Sequence, residues 1–105
     1  HKGGAQFIDV RNPINYGRGH IPAAVSHPYK GKSGNSRDFD ASSDEFDVSR
    51  LPIGNNVPVV FYSHGVTGWK SYKAAVTTIK SGHGEVYWLR GGYSEWAGRG
   101  YQIER

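Results

Sequence analysis

Between Phe61 and Ala75 the chain reads Phe-Tyr-Ser-His-Gly-Val-Thr-Gly-Trp-Lys-Ser-Tyr-Lys-Ala-Ala. A run from Val57 to Tyr62 stops abruptly at a polar loop containing Gly65 and Gly68, and a helical pattern starts directly after it. A strand that feeds a helix N-terminus through such a loop brings unpaired backbone N–H groups and the positive end of the helix dipole to one point. Ser63, His64, Gly65, Val66, Thr67, Gly68, Trp69 and Lys70 are therefore the expected anion-binding loop, with the Lys70 ammonium beside it. Ser63 occupies the strand end, where a nucleophile would stand. A serine hydroxyl attacks poorly at neutral pH unless a base takes its proton. His64 is adjacent in sequence, but neighbouring loop side chains diverge and no carboxylate is placed to orient it. A working Ser63–His64 hydrolase is not expected.

The elements that must hold this loop alternate. Ala5 to Val10 is a short apolar run that suits a buried strand, broken by Asn12-Pro13. Residues 12–20 allow one helical turn, and Val25-Ser26-His27 a very short strand. Residues 30–41 read as a polar loop. Ser42 and Glu45 stand at capping-box spacing, so a short helix is expected to begin there and to end before Pro52. Tyr72, Ala75, Val76 and Ile79 fall at i, i+3, i+4, i+7 and predict one apolar helix face, closed by Gly82. Glu85 to Leu89 reads as a further buried strand, and Tyr93 to Ala97 as a last short helix. This order implies a parallel α/β sheet. Val57–Tyr62 is expected to be central, and a helix from about Trp69 to Ser81 the longest. Ligands of such sheets sit at the carboxyl ends of strands, and Ser63 is at one.

The whole chain narrows the function classes. Its 105 residues suit a single domain spanning 1–105, and the start at His1 suggests an excised domain or processed chain. Runs of four to six apolar residues cannot cross a bilayer. This composition fits a soluble protein and leaves its compartment, periplasm or cytoplasm, open. The net charge is +4, yet the 13 Lys and Arg residues are scattered with no two adjacent, which argues against a nucleic-acid module and for a surface that favours small anions. The absence of Cys excludes disulfides, zinc–thiolate sites and thiol chemistry. The five His have no metal-type spacing, so no metal site and no cofactor are expected.

Taken in order, Phe7-Ile8-Asp9-Val10-Arg11, Gly19-His20-Ile21-Pro22-Ala23-Ala24, Pro58 to Tyr62 with its loop, and Leu89-Arg90-Gly91-Gly92 followed by Trp96 resemble a rhodanese-like domain over nearly the whole chain. The Trp69-to-Ala75 segment resembles a bacterial subgroup whose loop has a Cys directly before that Trp, where this chain has Gly68. The resemblance implies an α/β, sulfurtransferase-type fold, a central parallel sheet of four to five strands with helices on both faces, whose active members carry a catalytic Cys at the end of the central strand. That Cys cycles through a persulfide, or attacks phosphate or arsenate in related enzymes. Its position aligns with Ser63, or with Tyr62 if the loop is counted one residue differently, and neither replaces a thiolate. The expected function is a catalytically silent module, an inactive homologue that binds a small anion (sulfate, phosphate or thiosulfate) or a protein partner. The alternatives are a sulfurtransferase whose Cys has been replaced by Ser63, and a structural domain within a larger sensor or redox protein.

Asp9 and Arg11 are expected to support the site by tying the first strand to a neighbouring loop through a charge-assisted hydrogen bond. His20 is read as a packed, hydrogen-bonded residue, and Trp88 and Trp96 as core. Trp69 shields the loop or packs the helix start. Lys70 falls where active relatives often carry Arg or Lys, and Arg11, Arg18 and Arg90 are candidates for the same mouth.

Overall fold

The computed structural model describes residues 5–31, 33, 34, 39, 41–51, 57–65 and 68–105. Four short strands form one parallel sheet: β1 (Gln6–Asp9), β2 (Val25–Ser26), β3 (Val59–Tyr62) and β4 (Val86–Trp88), in the order β2-β1-β3-β4. Among the described residues, three α-helices connect or follow them: α1 (Pro13–Arg18), α2 (Trp69–Lys80) and α3 (Gly92–Gly98). The register aligns Asp9 with Ser26 and with Tyr62, so the carboxyl ends of β1, β2 and β3 meet at one edge. As expected, β3 is interior and α2 is the longest helix.

Alternation along the strands gives the sheet two buried faces. Ile8, Val10, Val59 and Phe61 pack with Tyr29, Leu51, Ala74 and Ala75 beneath α2. On the other face Tyr62 packs with Ile21 and Ala24, against Phe7, Leu89, Tyr93 and Trp96. Asn12 caps α1 by accepting from the Asn15 N–H, with Pro13 at the first helical position.

Three sequence expectations need correction. The face of α2 on the sheet is Ser71, Ala74, Ala75 and Thr78, whereas Ile79 is exposed and Tyr72 and Val76 are half-buried. Small residues let the helix backbone approach the strands. The Thr78 hydroxyl is satisfied within the helix, its Oγ1 donating to the Ala74 carbonyl at 2.8 Å. Second, β4 is an edge strand with Tyr87 and Trp88 exposed, not a buried one, so Trp88 is not core; Trp96 is half-buried against the second cluster. Third, Ser42 and Glu45 do not cap a helix. Ser42 lies inside one 3-10 turn, Ala41–Ser43, while the Glu45 backbone pairs with Lys30 in an antiparallel bridge. A second 3-10 turn, Val48–Arg50, is capped by Asp47. Pro52, the expected stop, lies outside the described residues.

The C-terminus of α2 follows the expected glycine rule: Gly82 adopts φ +102° and its N–H bonds the Ile79 carbonyl at 3.0 Å.

Candidate functional site

Where β3 ends, the chain turns into the loop that leads to α2. Ser63 is buried, at 1% exposure, and its hydroxyl lies 3.2 Å from the Gly68 carbonyl and 3.0 Å from Ser71 Oγ. Ser71 Oγ in turn accepts the Trp88 indole N–H at 2.9 Å. An indole can only donate and a carbonyl can only accept. The ordering that satisfies every group runs from Trp88 N–H to Ser71, from the Ser71 hydroxyl to Ser63, and from the Ser63 hydroxyl to the Gly68 carbonyl. The Ser63 proton therefore rests on a backbone carbonyl, and no base among the described residues is placed to take it.

Gly68 is needed where it stands. A Cβ there would lie 2.5 Å from Ser63 Oγ and 3.3 Å from its Cβ. A side chain at 68 and this Ser63 rotamer exclude each other. The Gly68 N–H closes a turn onto the Gly65 carbonyl at 2.9 Å, so one amide of the expected anion cradle is committed to the loop itself. Gly68 offers α2 no side-chain cap. The carbonyls of Ser63 and His64 accept from Tyr93 N–H (2.9 Å) and Ser94 N–H (2.7 Å) at the start of α3. Gly92 makes this docking possible: φ is +58°, and a Cβ would meet the Ser63 carbonyl oxygen at 2.6 Å.

Ser63, His64, Gly68, Trp69 and Lys70 border a cavity of about 360 Å³, whose other described walls are Gly31, Ser33 and Lys73. Lys70 and Lys73 lie one helical turn apart on α2 and face the same space. Lys73 is buried, its Nζ donating to the Ser33 carbonyl at 3.0 Å and sitting 5.7 Å from the Phe39 ring. Asp44 fixes Ser33 by accepting from its N–H (2.7 Å) and hydroxyl (2.6 Å), and it also accepts from the Tyr29 hydroxyl. Burial together with this carboxylate pushes the Tyr29 phenol above its ordinary range. No carboxylate is among the described residues lining the cavity.

His64 is exposed, with Nε2 3.4 Å from the Asn15 side-chain nitrogen. Partial burial, then the charges of Arg11 and Lys70, lower its pKa from 6.5, so the ring is neutral at pH 7.

The supporting residues lie behind the cavity. Arg11 and Asp9 form a buried, bidentate ion pair, with Arg11 Nη2 2.6 Å from Asp9 Oδ2 and 2.7 Å from the Gly19 carbonyl. The guanidinium also lies over the Tyr93 ring at 4.2 Å. The pair thus links β1, the end of α1 and α3. His20 stacks on Tyr16, with ring centroids 3.9 Å apart, and its Nδ1 is 2.9 Å from the Tyr16 carbonyl. Trp69 meets Tyr72 edge-on at 5.6 Å. Arg11, Arg18 and Arg90 are not among the described residues lining the cavity, so the expected arginine mouth does not form there. Val66 and Thr67 lie outside the described residues. Among those described, no three His, Asp or Glu side chains converge as a metal site, and no helix is long and apolar enough to cross a membrane.

The sequence reading missed Lys73, Ser71, Gly31 and Ser33. The three-residue spacing from Lys70 could have found Lys73. The contacts of Ser71 with Trp88 and of Ser33 with Lys73 arise only from tertiary packing.

A parallel sheet covered on both faces, with a lysine-lined cavity at the carboxyl end of an interior strand, defines the class of this protein. The chain matches the rhodanese-like domain over residues 1–99 and belongs to that family. It is 33% identical over 99 residues to thiosulfate sulfurtransferase 16 of Arabidopsis thaliana, covering 92% of this chain and 78% of that protein. It is 32% identical over 93 residues to the thiosulfate sulfurtransferase GlpE of Pseudomonas paraeruginosa, covering 89% and 70%. Among solved structures, the BH2092 protein of Bacillus halodurans superposes with a TM-score of 0.70 at 26% identity, covering 98% of this chain and 66% of that one. The rhodanese-like domain of Alr3790 from Anabaena shares the fold, with a TM-score of 0.71 at 21% identity, covering 96% and 87%. The chain thus spans just under two thirds of BH2092. With no Cys anywhere, it does not have the nucleophile that the resemblance places at Ser63.

Proposed function

We propose that residues 1–105 act as one rhodanese-like domain that binds without turnover. Its cavity beside Ser63 holds a small anion, such as sulfate, phosphate or thiosulfate, or the anionic group of a protein partner. The observation that carries this reading is the pairing of a proton-locked Ser63 hydroxyl with two lysines on one wall. Lysine side chains at the wall of a cavity favour an anion, while a hydroxyl hydrogen-bonded to a carbonyl supplies no nucleophile. The thiosulfate sulfurtransferases among its relatives make thiosulfate the first anion to try. In an NMR titration the amides of Ser63, His64, Gly65, Gly68, Trp69 and Lys70 should move on addition of each anion. Affinity should be roughly millimolar, since one small anion gains little beyond the cost of association. Largest shifts at Arg99–Arg105 would reject the cavity as the anion site.

A second reading is a sulfurtransferase with serine in place of the catalytic cysteine. The feature favouring it is Ser71, whose hydroxyl is directed at the atom carried by residue 63. A hydrogen bond from that position stabilises a thiolate. Under this reading Ser63→Cys gains measurable thiosulfate sulfurtransferase activity. Under the first it binds thiosulfate and remains at background.

A further inference from the structure

We propose that Trp88 is a positioning residue for the site: from the edge strand of the sheet its indole holds the Ser71 hydroxyl on the side chain at position 63. The inference deepens the locked-hydroxyl reading above by naming what sets the lock, and it requires no anion in the cavity.

A hydroxyl on a helix has a local alternative to any such contact, the carbonyl one turn back. Two others on α2 take it. Thr77 Oγ1 donates to the Lys73 carbonyl and Thr78 Oγ1 to the Ala74 carbonyl, both at 2.8 Å. Among the described residues the partners of Ser71 Oγ are instead two side chains, Ser63 at 3.0 Å and the Trp88 indole at 2.9 Å. The indole N–H can only donate, so it occupies acceptor capacity of Ser71 Oγ and fixes where that oxygen points. The Ser71 proton is left to donate, with Ser63 Oγ in reach. A hydroxyl that accepts one hydrogen bond also donates a stronger one.

The indole is itself held in place from two sides. Trp88 lies opposite Phe61 on β3, the strand that ends one residue before Ser63. Its ring packs against Tyr72, the neighbour of Ser71 on α2, with centroids 5.3 Å apart and planes at 66°. Trp88 is 39% exposed and Ser71 is 1% exposed, so the indole is the outer member of the chain and Ser71 the enclosed one. Among the described residues no strand lies beyond β4.

The test is a double-mutant cycle in the Ser63→Cys background, where ionisation of the thiol reports the hydrogen bond received at position 63. The apparent thiol pKa is read from the pH dependence of alkylation by iodoacetamide. Ser71→Ala should raise it by about one pH unit, as expected for one hydrogen bond to a charged atom. Trp88→Phe keeps a ring against Tyr72 but removes the N–H, and should raise it by about half a unit. Added to Ser71→Ala, Trp88→Phe should change it by no more than about 0.2 unit, because its route to position 63 is gone. With the natural serine in place, hydrogen exchange of the Trp88 indole should quicken about fivefold in Ser71→Ala. A Trp88→Phe effect that is absent with Ser71 present, or that persists undiminished after Ser71→Ala, overturns the inference, as does unchanged indole exchange. The two claims fail separately: thiosulfate turnover by the unmodified chain sinks the locked-hydroxyl reading, while the role of Trp88 falls on the cycle and the indole exchange.

Discussion

Replacing Ser63 by Ala separates two roles that the site geometry assigns to different groups. The hydroxyl is buried and joins the Gly68 carbonyl to Ser71 Oγ. Removing it leaves that carbonyl without its donor and the Ser71 hydroxyl without its acceptor. Each such loss in a buried site costs about 1–3 kcal/mol when the partner stays unsatisfied, less where the partner finds water. Gly68 lines a cavity that water can enter, whereas Ser71 is buried away from it, so a total of about 1–3 kcal/mol is expected for the pair. For a domain of this length that lowers Tm by roughly 5–20 °C. Sulfate affinity should change by no more than about threefold, because the charge comes from Lys70 and Lys73. Calorimetry or circular-dichroism melting reads the first quantity, and an NMR titration below the new Tm reads the second. A variant with unchanged Tm and anion affinity lost by more than about tenfold would refute the reasoning, since Ser63 would then be a ligand contact and not a locked structural hydroxyl.

Gly92→Ala should destabilise by about 2–4 kcal/mol, combining an unfavourable positive φ with a backbone clash against Ser63, and urea melts will show it. On α2, Ile79→Ser should change stability by less than about 0.5 kcal/mol, while Thr78→Val, which keeps volume but removes the hydroxyl bonded to Ala74, leaves the fold intact and Thr78→Lys does not. Equal damage from Ile79→Ser and Thr78→Lys would place the buried helix face where periodicity alone puts it. His64 gives a pH test. Its folded pKa lies below 6.5, so the unfolded chain binds the extra proton first. Its contribution to stability is therefore present above about pH 6.5 and is lost as pH falls through that value, levelling off once the folded ring is also protonated. Sulfate in the cavity should raise the His64 pKa, read from its ring resonances, and by linkage bind more tightly at lower pH. A His64 pKa indifferent to sulfate would put the anion elsewhere.

Strand–loop–helix order was legible because Val57–Tyr62, the glycine loop and the residues after it change pattern sharply. The alternating faces of β1 and β3 follow from Ile8, Val10, Val59 and Phe61. The buried face of α2 was not legible. Periodicity selects large apolar side chains, and this interface is built from Ser71, Ala74, Ala75 and Thr78; the Thr78 hydroxyl bonds the Ala74 carbonyl one turn back, while Ser71 meets Ser63 and Trp88, which lie outside the helix. The strand Val86–Trp88 has the composition of a buried element but lies at the sheet edge, since nothing in its own residues states how many strands follow. Of the residues that line the cavity, Ser63, His64, Gly68, Trp69 and Lys70 were legible from the strand–loop–helix pattern. Gly31, Ser33 and Lys73 come together only because Asp44 and Tyr29 bring a distant segment against α2.

The proposed domain binds without sulfur transfer at a site centred on Ser63. A single preparation of the unmodified chain, titrated with thiosulfate by 15N NMR and then assayed for thiosulfate sulfurtransferase activity, tests it most directly. Saturable shifts at Ser63, His64, Gly68 and Lys70, with turnover at background, are the expected result. Turnover clearly above background, or thiosulfate leaving those amides unmoved, would contradict it.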